Sequence, residues 1–199
     1  MSDSNLRLYL LSPGLFRDIP EQPNYIKCEE ASSIFQNEKV CSFTGYRPEK
    51  FAFNKETDSR CIDLKYKLCS EIENLILQGY TSFISGMARG TDMWAAEMVL
   101  HLARDSGKRV DLYAAVPFHG QSSSWYEWEK ERYNEILRLC KGVFVIEDHY
   151  TRQSMKKRNA FLVEHANSII SVFNGKPGGT SSTLNMANKK NINVINIEP

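Results

Sequence analysis

The chain has 199 residues, of which 42% are hydrophobic and 25% are charged, values typical of a globular protein with one domain of ordinary size. A formal net charge of +1 argues against a generally basic nucleic-acid-binding protein, although it does not exclude a local basic patch. The five cysteines include no CxxC pair, so the sequence predicts no disulfide framework, and we expect reduced thiols in a cytoplasmic protein. No apolar run has the length of a membrane span.

The first 38 residues differ in composition from the rest of the chain. They hold three Lys and Arg against six Asp and Glu, and no hydrophobic period persists in them. We interpret residues 1–38 as an N-terminal acidic arm that is either loosely ordered or docks back onto the domain. Docking would use the apolar side chains of Leu8, Leu10, Leu11 and Phe16.

Residues 39–199 alternate between short apolar runs and longer segments with helical spacing. Strands are predicted at 40–44, 80–85, 109–116, 142–147, 167–173 and 192–197. Helices are predicted between them, and one of these has a capping box at Ser124 and Glu127 and runs to Cys140. The alternation predicts an α/β fold, namely a Rossmann-like, doubly wound and mostly parallel sheet of about six strands with helices on both faces.

Four loops of unusual composition follow predicted strands. They are TGYRP (44–48), SGMARGTD (85–92), PFHGQ (117–121) and PGGT (177–180). In an open parallel sheet, ligands bind outside the carboxyl ends of the strands. Because all four loops are predicted at that edge, their agreement in position carries more weight than any one of them.

The loop before the last predicted helix has the features of an anion site. Gly178 and Gly179 leave backbone N–H groups exposed, and the hydroxyl residues from Thr180 to Ser182 could cap the helix that follows. A helix N-terminus with free N–H groups and a partial positive charge binds anions, and phosphate is the anion that we expect. The alternative is a glycine turn that serves chain geometry alone.

The loop after the second predicted strand also has features of a ligand-binding loop. Gly86 would permit close approach after the strand, and Gly90 would permit tight packing at the helix start. Asp92 could accept hydrogen bonds from a ribose or orient a neighbouring loop, or it could complement the helix dipole in the first turn. The loop is not a GxGxxG motif and the chain has no GK[ST] P-loop, so neither an NAD-dependent dehydrogenase nor a P-loop NTPase is indicated.

Two arginines are candidates for contact with a phosphate or carboxylate. Arg47 precedes Pro48, which restricts its backbone, and the alternative is a solvated surface arginine. Arg158, followed by Asn159, precedes the fifth predicted strand and could equally belong to a solvated helix face.

Three aromatic side chains near the strand ends, those of Tyr46, Phe118 and Trp125, could stack on a base. Aromatic residues at helix starts also serve packing, and this alternative stays open. His119 and His149 have no partners at metal-ligand spacing, so we expect no metal site.

Together the motifs GYRP, SGMARGTDMWAAE, PFHGQ-x3-W, KKRN and PGGT, in this order over roughly residues 39–197, resemble the YpsA-like branch of the SLOG superfamily. That superfamily also includes LOG-type cytokinin-activating phosphoribohydrolases and DNA-processing protein A. The resemblance implies a Rossmann-like fold whose strand-end pocket binds nucleotides or nucleotide-derived molecules, including NAD-derived or cyclic nucleotide signals in bacterial conflict systems. It implies a pocket lined by Gly45, Arg47, Ser85, Gly86, Gly90, Asp92, Gly178, Gly179 and Thr180, with further motif matches at Gln121, Trp125, Arg158 and Asn159. Tyr46, Met87 and Phe118 complete the predicted ligand-binding set.

Two functional classes are compatible with this pocket. The first, which we expect, is a sensor or sequestering protein that needs no cofactor and forms a homodimer. The second is an N-glycoside hydrolase of the LOG type acting on nucleoside monophosphates, which needs a carboxylate near the anomeric carbon. In LOG-type enzymes that acid lies on the helix after the PGG loop, and here this helix reads TSSTLNMANKK, without Asp or Glu. Asp92, Glu147 or Asp148 could substitute from other strand ends, so catalysis stays open.

A third class is single-stranded DNA binding, as in the DNA-processing relatives. It would need a basic groove interleaved with aromatic side chains. From residue 39 onward there are 22 Lys and Arg against 18 Asp and Glu, a surplus too small to favour it. We therefore expect a small nucleotide-derived molecule as the partner, rather than nucleic acid or a membrane.

Overall fold

A parallel sheet of seven strands forms the centre of the molecule. The computed structural model describes residues 19–105 and 107–199. The strands are β1 Tyr25–Ile26, β2 Val40–Gly45, β3 Ser82–Ser85, β4 Asp111–Val116, β5 Gly142–Val145, β6 Ser168–Val172 and β7 Asn193–Ile197. Their order is β1-β5-β4-β3-β2-β6-β7, with every neighbouring pair parallel. The predicted Rossmann-like α/β class is confirmed, with one strand more than the expected number of about six.

Helices cover both faces of this sheet. They are α1 Ala31–Ile34, α2 Ser59–Leu77, α3 Thr91–Asp105, α4 Glu127–Leu139, α5 Ser154–Glu164 and α6 Gly179–Lys189. Side chains alternate along β4: Leu112 and Ala114 are buried with the apolar residues of α2, α3 and α4, whereas Tyr113 and Ala115 are buried with Phe161 of α5. The strands are apolar on both sides because both faces are covered, as is usual in parallel sheets.

The start of α4 differs from the prediction. The expected capping box of Ser124 and Glu127 does not form, because α4 begins only at Glu127. The preceding residues make a turn in which the N–H of Trp125 donates to the carbonyl of Ser122 at 2.9 Å. The carboxylate of Glu129 instead accepts a hydrogen bond from the N–H of Tyr126 at 3.1 Å, which satisfies a backbone donor at the helix entry without a hydroxyl cap.

Part of the predicted acidic arm completes the sheet. β1 pairs with Val143 and Phe144 of β5, and the N–H of Val143 donates to the carbonyl of Asn24 at 2.8 Å. Phe35 is buried with its ring edge-on to that of Tyr113, at a centroid distance of 5.0 Å. The docking positions Leu8, Leu10, Leu11 and Phe16 lie outside the described residues, and the division of the chain at residue 38 stays a prediction.

The topology places one crevice at the carboxyl edge of the sheet. From β2 the chain adds β3, β4 and β5 in one direction, and then returns to the other side of β2 to form β6 and β7. Connections therefore leave β2 and β6 in opposite directions, so that the loops after these two strands diverge. Such a switch point is where open α/β sheets bind their ligands.

Candidate functional site

A cavity of about 270 Å³ lies at this switch point, and we call it the switch-point cavity. Its walls come from the end of β2 and the following loop, from the start of α3, and from α5 and α6. The lining residues are Phe43, Thr44, Gly45, Tyr46, Arg47, Lys50, Ala88, Asp92, Met155, Arg158, Asn159, Leu162, Gly179 and Thr180. Eight of these belong to the predicted ligand-binding set: Gly45, Tyr46, Arg47, Asp92, Arg158, Asn159, Gly179 and Thr180.

Two exposed cations line the cavity on the side of β2. A short 3-10 turn, Pro48–Lys50, brings Lys50 back towards the side of the loop that Arg47 faces. The Lys50 ammonium lies over the ring of Tyr46, at 5.3 Å from the ring centroid. Within the part of the chain that the structure describes, neither Arg47 nor Lys50 forms an ion pair, so both charges are available to a ligand.

The N-terminus of α6 forms the opposite wall. Gly178 has φ 154° and ψ −162°, a conformation that essentially only glycine adopts. A Cβ at this position would come within 2.8 Å of the Lys50 ammonium nitrogen, so the cation lies directly against the glycine loop. The first N–H groups of a helix have no partner within it, and the α6 dipole adds a partial positive charge.

Thr180 has a structural role at this wall. Its hydroxyl donates to the carbonyl of Gly45 at 3.1 Å, which joins the start of α6 to the end of β2. Within the range from Thr180 to Ser182 expected to cap α6, Ser181 supplies the contact, because its hydroxyl oxygen accepts from the N–H of Gly178 at 2.9 Å. The Gly179 position is open: apart from adjacent residues and the α6 backbone, no atom of the described residues lies within 4 Å of where a Cβ would stand.

A buried ion pair closes the floor of the cavity. A guanidinium N–H of Arg158, on α5, donates to the carboxylate of Asp92, on α3, at 2.9 Å, and both side chains are buried. The same carboxylate oxygen accepts from the N–H of Ala88 at 3.3 Å. Burial raises the pKa of Asp92, and the positive charge of Arg158 opposes that rise. The Nε–H of Arg158 is buried and has no hydrogen-bond partner among the described residues.

Gly86 and Gly90 allow neighbouring groups to pack closely against the backbone beside the cavity. A Cβ at Gly86 would overlap the Arg158 guanidinium, so the close approach permitted by this glycine is that of a protein side chain. A Cβ at Gly90 would lie 2.7 Å from the carbonyl oxygen of Tyr46, in agreement with tight packing at the start of α3. Neither glycine lines the cavity.

The remaining predicted residues support neighbouring loops and do not line the cavity. The Ser85 hydroxyl donates to the carbonyl of Asp92 at 2.8 Å and accepts from the N–H of Met87 at 3.1 Å. Gln121 donates to the carbonyl of Met87 at 2.5 Å. These contacts fix the path of residues 85–92, and thereby the position of Asp92.

Two of the three predicted stacking residues lie elsewhere. Phe118 packs edge-on against Tyr150, and Trp125 packs edge-on against Tyr133, both with ring centroids 5.3 Å apart. They serve packing, which is the alternative that the sequence left open. Tyr46 does line the cavity, and its hydroxyl bonds to Asn174 at 2.5 Å.

Of the three acids considered for catalysis, Asp92 alone lines the switch-point cavity. Glu147 instead accepts hydrogen bonds from Lys157, Ser154 and Thr151, and these bonds lower its pKa to about 2. Asp148 is exposed in the loop after β5. Neither of these two acids lines the switch-point cavity.

Sequence reasoning missed a second cavity of about 680 Å³, which we call the aromatic cavity. It lies on the other side of the loop at 46–50, between that loop, residues 53–57 and the starts of α3 and α4. Its lining residues are Pro48, Glu49, Phe53, Asn54, Lys55, Glu56, Thr57, Arg89, Gly90, Met93, Trp94, Tyr126, Trp128, Glu129 and Arg132. The closely spaced aromatic residues of FAF (51–53) and YEW (126–128) are the signal that could have indicated it.

Over residues 19–105 and 107–199, no helix is both long and apolar enough to cross a membrane. The same residues contain no group of three His, Cys, Asp or Glu side chains arranged to hold a metal ion.

The all-parallel sheet defines the class of this protein, a Rossmann-like α/β domain, and a cation-lined crevice lies at the switch point of that sheet. The YpsA family model, described as the YspA SLOG family, matches residues 41–198, which is most of the chain. The protein therefore belongs to the YspA SLOG family, and the resemblance carried by its motifs is confirmed.

Several bacterial proteins are similar in sequence. The chain is 29% identical to the uncharacterized SPbeta prophage-derived protein YoqJ of Bacillus subtilis (strain 168) over 141 residues, which cover 64% of this chain and 82% of the relative. It is 26% identical to the UPF0398 protein BH1768 of Halalkalibacterium halodurans over 159 residues, 76% of this chain and 82% of the relative. It is 24% identical to the UPF0398 protein YpsA of Bacillus subtilis (strain 168) over 157 residues, 76% of this chain and 86% of the relative.

Two solved structures share the fold. DNA processing protein A from Helicobacter pylori aligns with a TM-score of 0.57 and 15% identity, covering 93% of this chain and 77% of its own. DNA processing protein A from Streptococcus pneumoniae aligns with a TM-score of 0.56 and 14% identity, covering 98% and 66%. At this level of identity the likeness shows the fold alone.

Proposed function

We propose that this protein binds a nucleotide or nucleotide-derived molecule in the switch-point cavity and acts as a sensor or sequestering protein. The observation that carries the proposal is the convergence of the unpaired cations Arg47 and Lys50 with the N-terminus of α6 around one crevice. A phosphate group combines negative charge with several acceptor oxygens, and it complements all three features.

Each element of the cavity would have a distinct part in binding. The N–H groups at the start of α6 would receive phosphate oxygens, as at other helix N-termini. Arg47 would add a charge-assisted hydrogen bond, of the kind that contributes about 1.5–3 kcal/mol. The guanidinium of Arg158 would add positive charge at the floor of the cavity, and Asp92 holds it in place.

An N-glycoside hydrolase remains the alternative, since Asp92 is a carboxylate that lines the cavity. Its pKa is raised by burial, which suits a group that exchanges a proton. The same Asp92 oxygen, however, is held by Arg158 and by the N–H of Ala88. A carboxylate committed to two donors fits a positioning role better than a role as base or nucleophile.

Single-stranded DNA is a second candidate ligand, favoured by the fold comparison. The structure of Helicobacter pylori DNA processing protein A concerns a single-stranded DNA binding mode, and that protein aligns over most of this chain. A DNA strand neutralises many phosphates when it binds, so its affinity falls steeply with salt. A small ligand held in a closed crevice would show a much weaker dependence on salt.

The test is a thermal-shift screen of the full chain against mononucleotides, NAD, ADP-ribose, cyclic dinucleotides and a single-stranded oligonucleotide. A ligand at 100 times its dissociation constant stabilises the native state by about 2.7 kcal/mol, which gives a clear shift. Every ligand that shifts the transition is then recovered by chromatography. Recovery of the intact ligand supports binding alone, whereas release of a free base supports the hydrolase.

Gly179→Val is the sharpest variant for this screen. Apart from adjacent residues and the α6 backbone, no atom of the described residues lies within 4 Å of the position of a Cβ at Gly179, so we expect the substitution to leave the fold in place but to insert a side chain where the phosphate would bind. We expect an unchanged melting temperature without ligand and the loss of the ligand-induced shift. A variant that binds as tightly as the wild type would contradict the placement of the phosphate at α6.

A further inference from the structure

The two cavities are separated by a wall only one loop thick. Successive residues of this wall line alternate sides: Arg47 and Lys50 face the switch-point cavity, whereas Pro48 and Glu49 face the aromatic cavity. The segment at 88–93 divides in the same way, since Ala88 and Asp92 line one cavity and Arg89, Gly90 and Met93 line the other. Both cavities lie beside the carboxyl edge of the sheet, so one ligand could extend over the wall into both.

The aromatic cavity is suited to a planar ring. Phe53 and Trp94 are almost fully buried in its wall, while Tyr126 and Trp128 at the start of α4 remain 71% and 58% exposed. Large aromatic side chains that stay this exposed at the mouth of a cavity offer faces on which a heterocycle can stack.

The six charged side chains that line the aromatic cavity carry no net charge: they are Lys55, Arg89, Arg132, Glu49, Glu56 and Glu129. Arg89 bonds to Glu49 and Glu129, and Arg132 bonds to Glu56 at 2.7 Å and to Glu97 at 2.5 Å. These arginines are neutralised by carboxylates and have little attraction left for a phosphate. A ligand with phosphate and ring parts would therefore place its phosphate in the switch-point cavity and a ring in the aromatic cavity.

The volumes of the two cavities support the same placement of the phosphate and the ring. Sites for drug-sized ligands usually measure roughly 300–1,000 Å³. The switch-point cavity, at about 270 Å³, is below this range, whereas the aromatic cavity, at about 680 Å³, is well inside it. A ligand larger than one phosphorylated unit must extend out of the first cavity, and the second begins on the other side of the loop.

We infer that the ligand is of the dinucleotide class, with two nucleoside units joined through phosphate, and that its second base stacks in the aromatic cavity on Trp128 and Tyr126. This inference rests on the proposed function of the switch-point cavity. A small molecule fits better than a DNA strand, because the lining charges of the aromatic cavity balance and a phosphate backbone that continued through it would meet no excess of positive charge.

The test compares AMP with two dinucleotides, pApA and NAD, by titration calorimetry on the full chain, together with a dA20 strand at two salt concentrations. We expect pApA or NAD to bind at least about tenfold more tightly than AMP, which is within the contribution of one stacked base. Trp128→Ala should remove this preference and leave the AMP affinity unchanged. Tyr150→Ala is the matched control, because it removes an aromatic side chain that is 64% exposed and lines neither cavity.

Each alternative outcome has a distinct signature. Equal affinities for AMP and both dinucleotides would overturn the inference and leave the proposed function intact, whereas no binding of any of them would overturn both. A loss of AMP affinity in Trp128→Ala would place the base of a single nucleotide in the aromatic cavity and refute a second unit. A dA20 affinity far above that of pApA, with a steep salt dependence, would identify a DNA strand instead. A change in oligomeric state in Trp128→Ala, measured by light scattering, would assign the cavity to a protein contact.

Discussion

The switch-point cavity and the aromatic cavity differ in how they use their charged side chains. In the aromatic cavity, Arg132 lies between the carboxylates of Glu56 and Glu97, so its positive charge is neutralised by groups of the protein itself. In the switch-point cavity, Arg47 and Lys50 are exposed and form no ion pair among the described residues, although the charge of Arg47 opposes the rise in the pKa of Asp92. The two cavities share one loop, yet the lining of the aromatic cavity carries no net charge and that of the switch-point cavity carries an excess of positive charge.

The number of charges near a cavity is therefore a poor guide to what binds there. A buried ion pair requires desolvation of both partners, and it adds little attraction for a third group. Removal of either partner, however, strongly destabilises the fold, because a buried charge is left unpaired. An exposed, unpaired cation contributes little to stability and is free to meet an anion. Substitutions in the two cavities should accordingly separate folding from binding.

The largest effect is expected for Arg132→Met. It leaves Glu97, which is buried, without its two hydrogen bonds from Arg132, and breaking a buried pair in this way costs about 3–5 kcal/mol. Urea unfolding should show this loss, while the AMP affinity of the remaining folded protein should match that of the wild type. A loss below about 1 kcal/mol would mean that the pair is not what holds this region together.

The next effect is a dependence of stability on pH through Glu56. Burial alone would raise the pKa of Glu56, but the positive charges of Arg132 and Lys65 and their hydrogen bonds lower it from 4.5 to about 2. Because the pKa is lower in the folded state, the stabilisation is complete above pH 4.5 and is lost as the pH falls towards 2. The loss is at most about 3 kcal/mol, since each pH unit between the two values corresponds to about 1.4 kcal/mol and solvent screens the exposed part of the side chain.

Urea unfolding of the wild type and Glu56→Gln between pH 2 and pH 7 checks this prediction. The difference in unfolding free energy between the two proteins should shrink as the pH falls below 4.5. A difference that stays constant over this range would show that Glu56 keeps an ordinary pKa in the folded protein.

A smaller effect, on binding alone, is expected for Arg47→Ala. Loss of a charge-assisted hydrogen bond to phosphate should weaken AMP binding by about 10- to 100-fold, and the unfolding free energy should change by less than about 0.5 kcal/mol, as is usual for exposed positions. Arg138→Ala is the control, since this arginine lies in the last turn of α4 and lines neither cavity. Equal affinities for the two variants would exclude Arg47 as a ligand contact.

The smallest effect is expected for the stability of Trp128→Ala. The side chain is 58% exposed, so its removal should change the unfolding free energy by less than about 0.5 kcal/mol. The same urea titration measures it. A loss of about 2 kcal/mol or more would make Trp128 a packing residue and remove the distinction between the mouth of the aromatic cavity and its buried wall.

The sequence was informative about the fold and about which loops meet. Strand-like runs and helical spacing identified six of the seven strands, and the rule that ligands bind at strand carboxyl ends placed the loops of Arg47, Asp92 and Gly179 together. These inferences succeed because they depend on local periodicity and on the direction of parallel strands. β1 was missed because a strand of two residues has no measurable period.

The partners of individual side chains could not be predicted in this way. Arg132 bonds to Glu56 across 76 positions in the chain, and Arg158 bonds to Asp92 across 66. Gly86 was interpreted as a loop residue that permits close approach, but only the structure shows that the approaching group is Arg158. Charge pairing between residues so far apart in the sequence depends on how helices from the two faces of the sheet meet at its edge. No local sequence pattern predicts that arrangement.

The two-residue strand β1 also has a consequence for how the protein behaves at high concentration. β5 is a short run of mostly buried, apolar residues, and the segment around β1 occupies its outer edge. The carbonyl of Asn24 accepts from the N–H of Val143, and the thiol of Cys28 donates to the carbonyl of Val145. Proteins shield such edges because a bare one recruits strands from other molecules. Residues 24–28 thus cover the edge of β5, and we expect a protein that is trimmed past Cys28 to aggregate more readily through β5 than the full chain does.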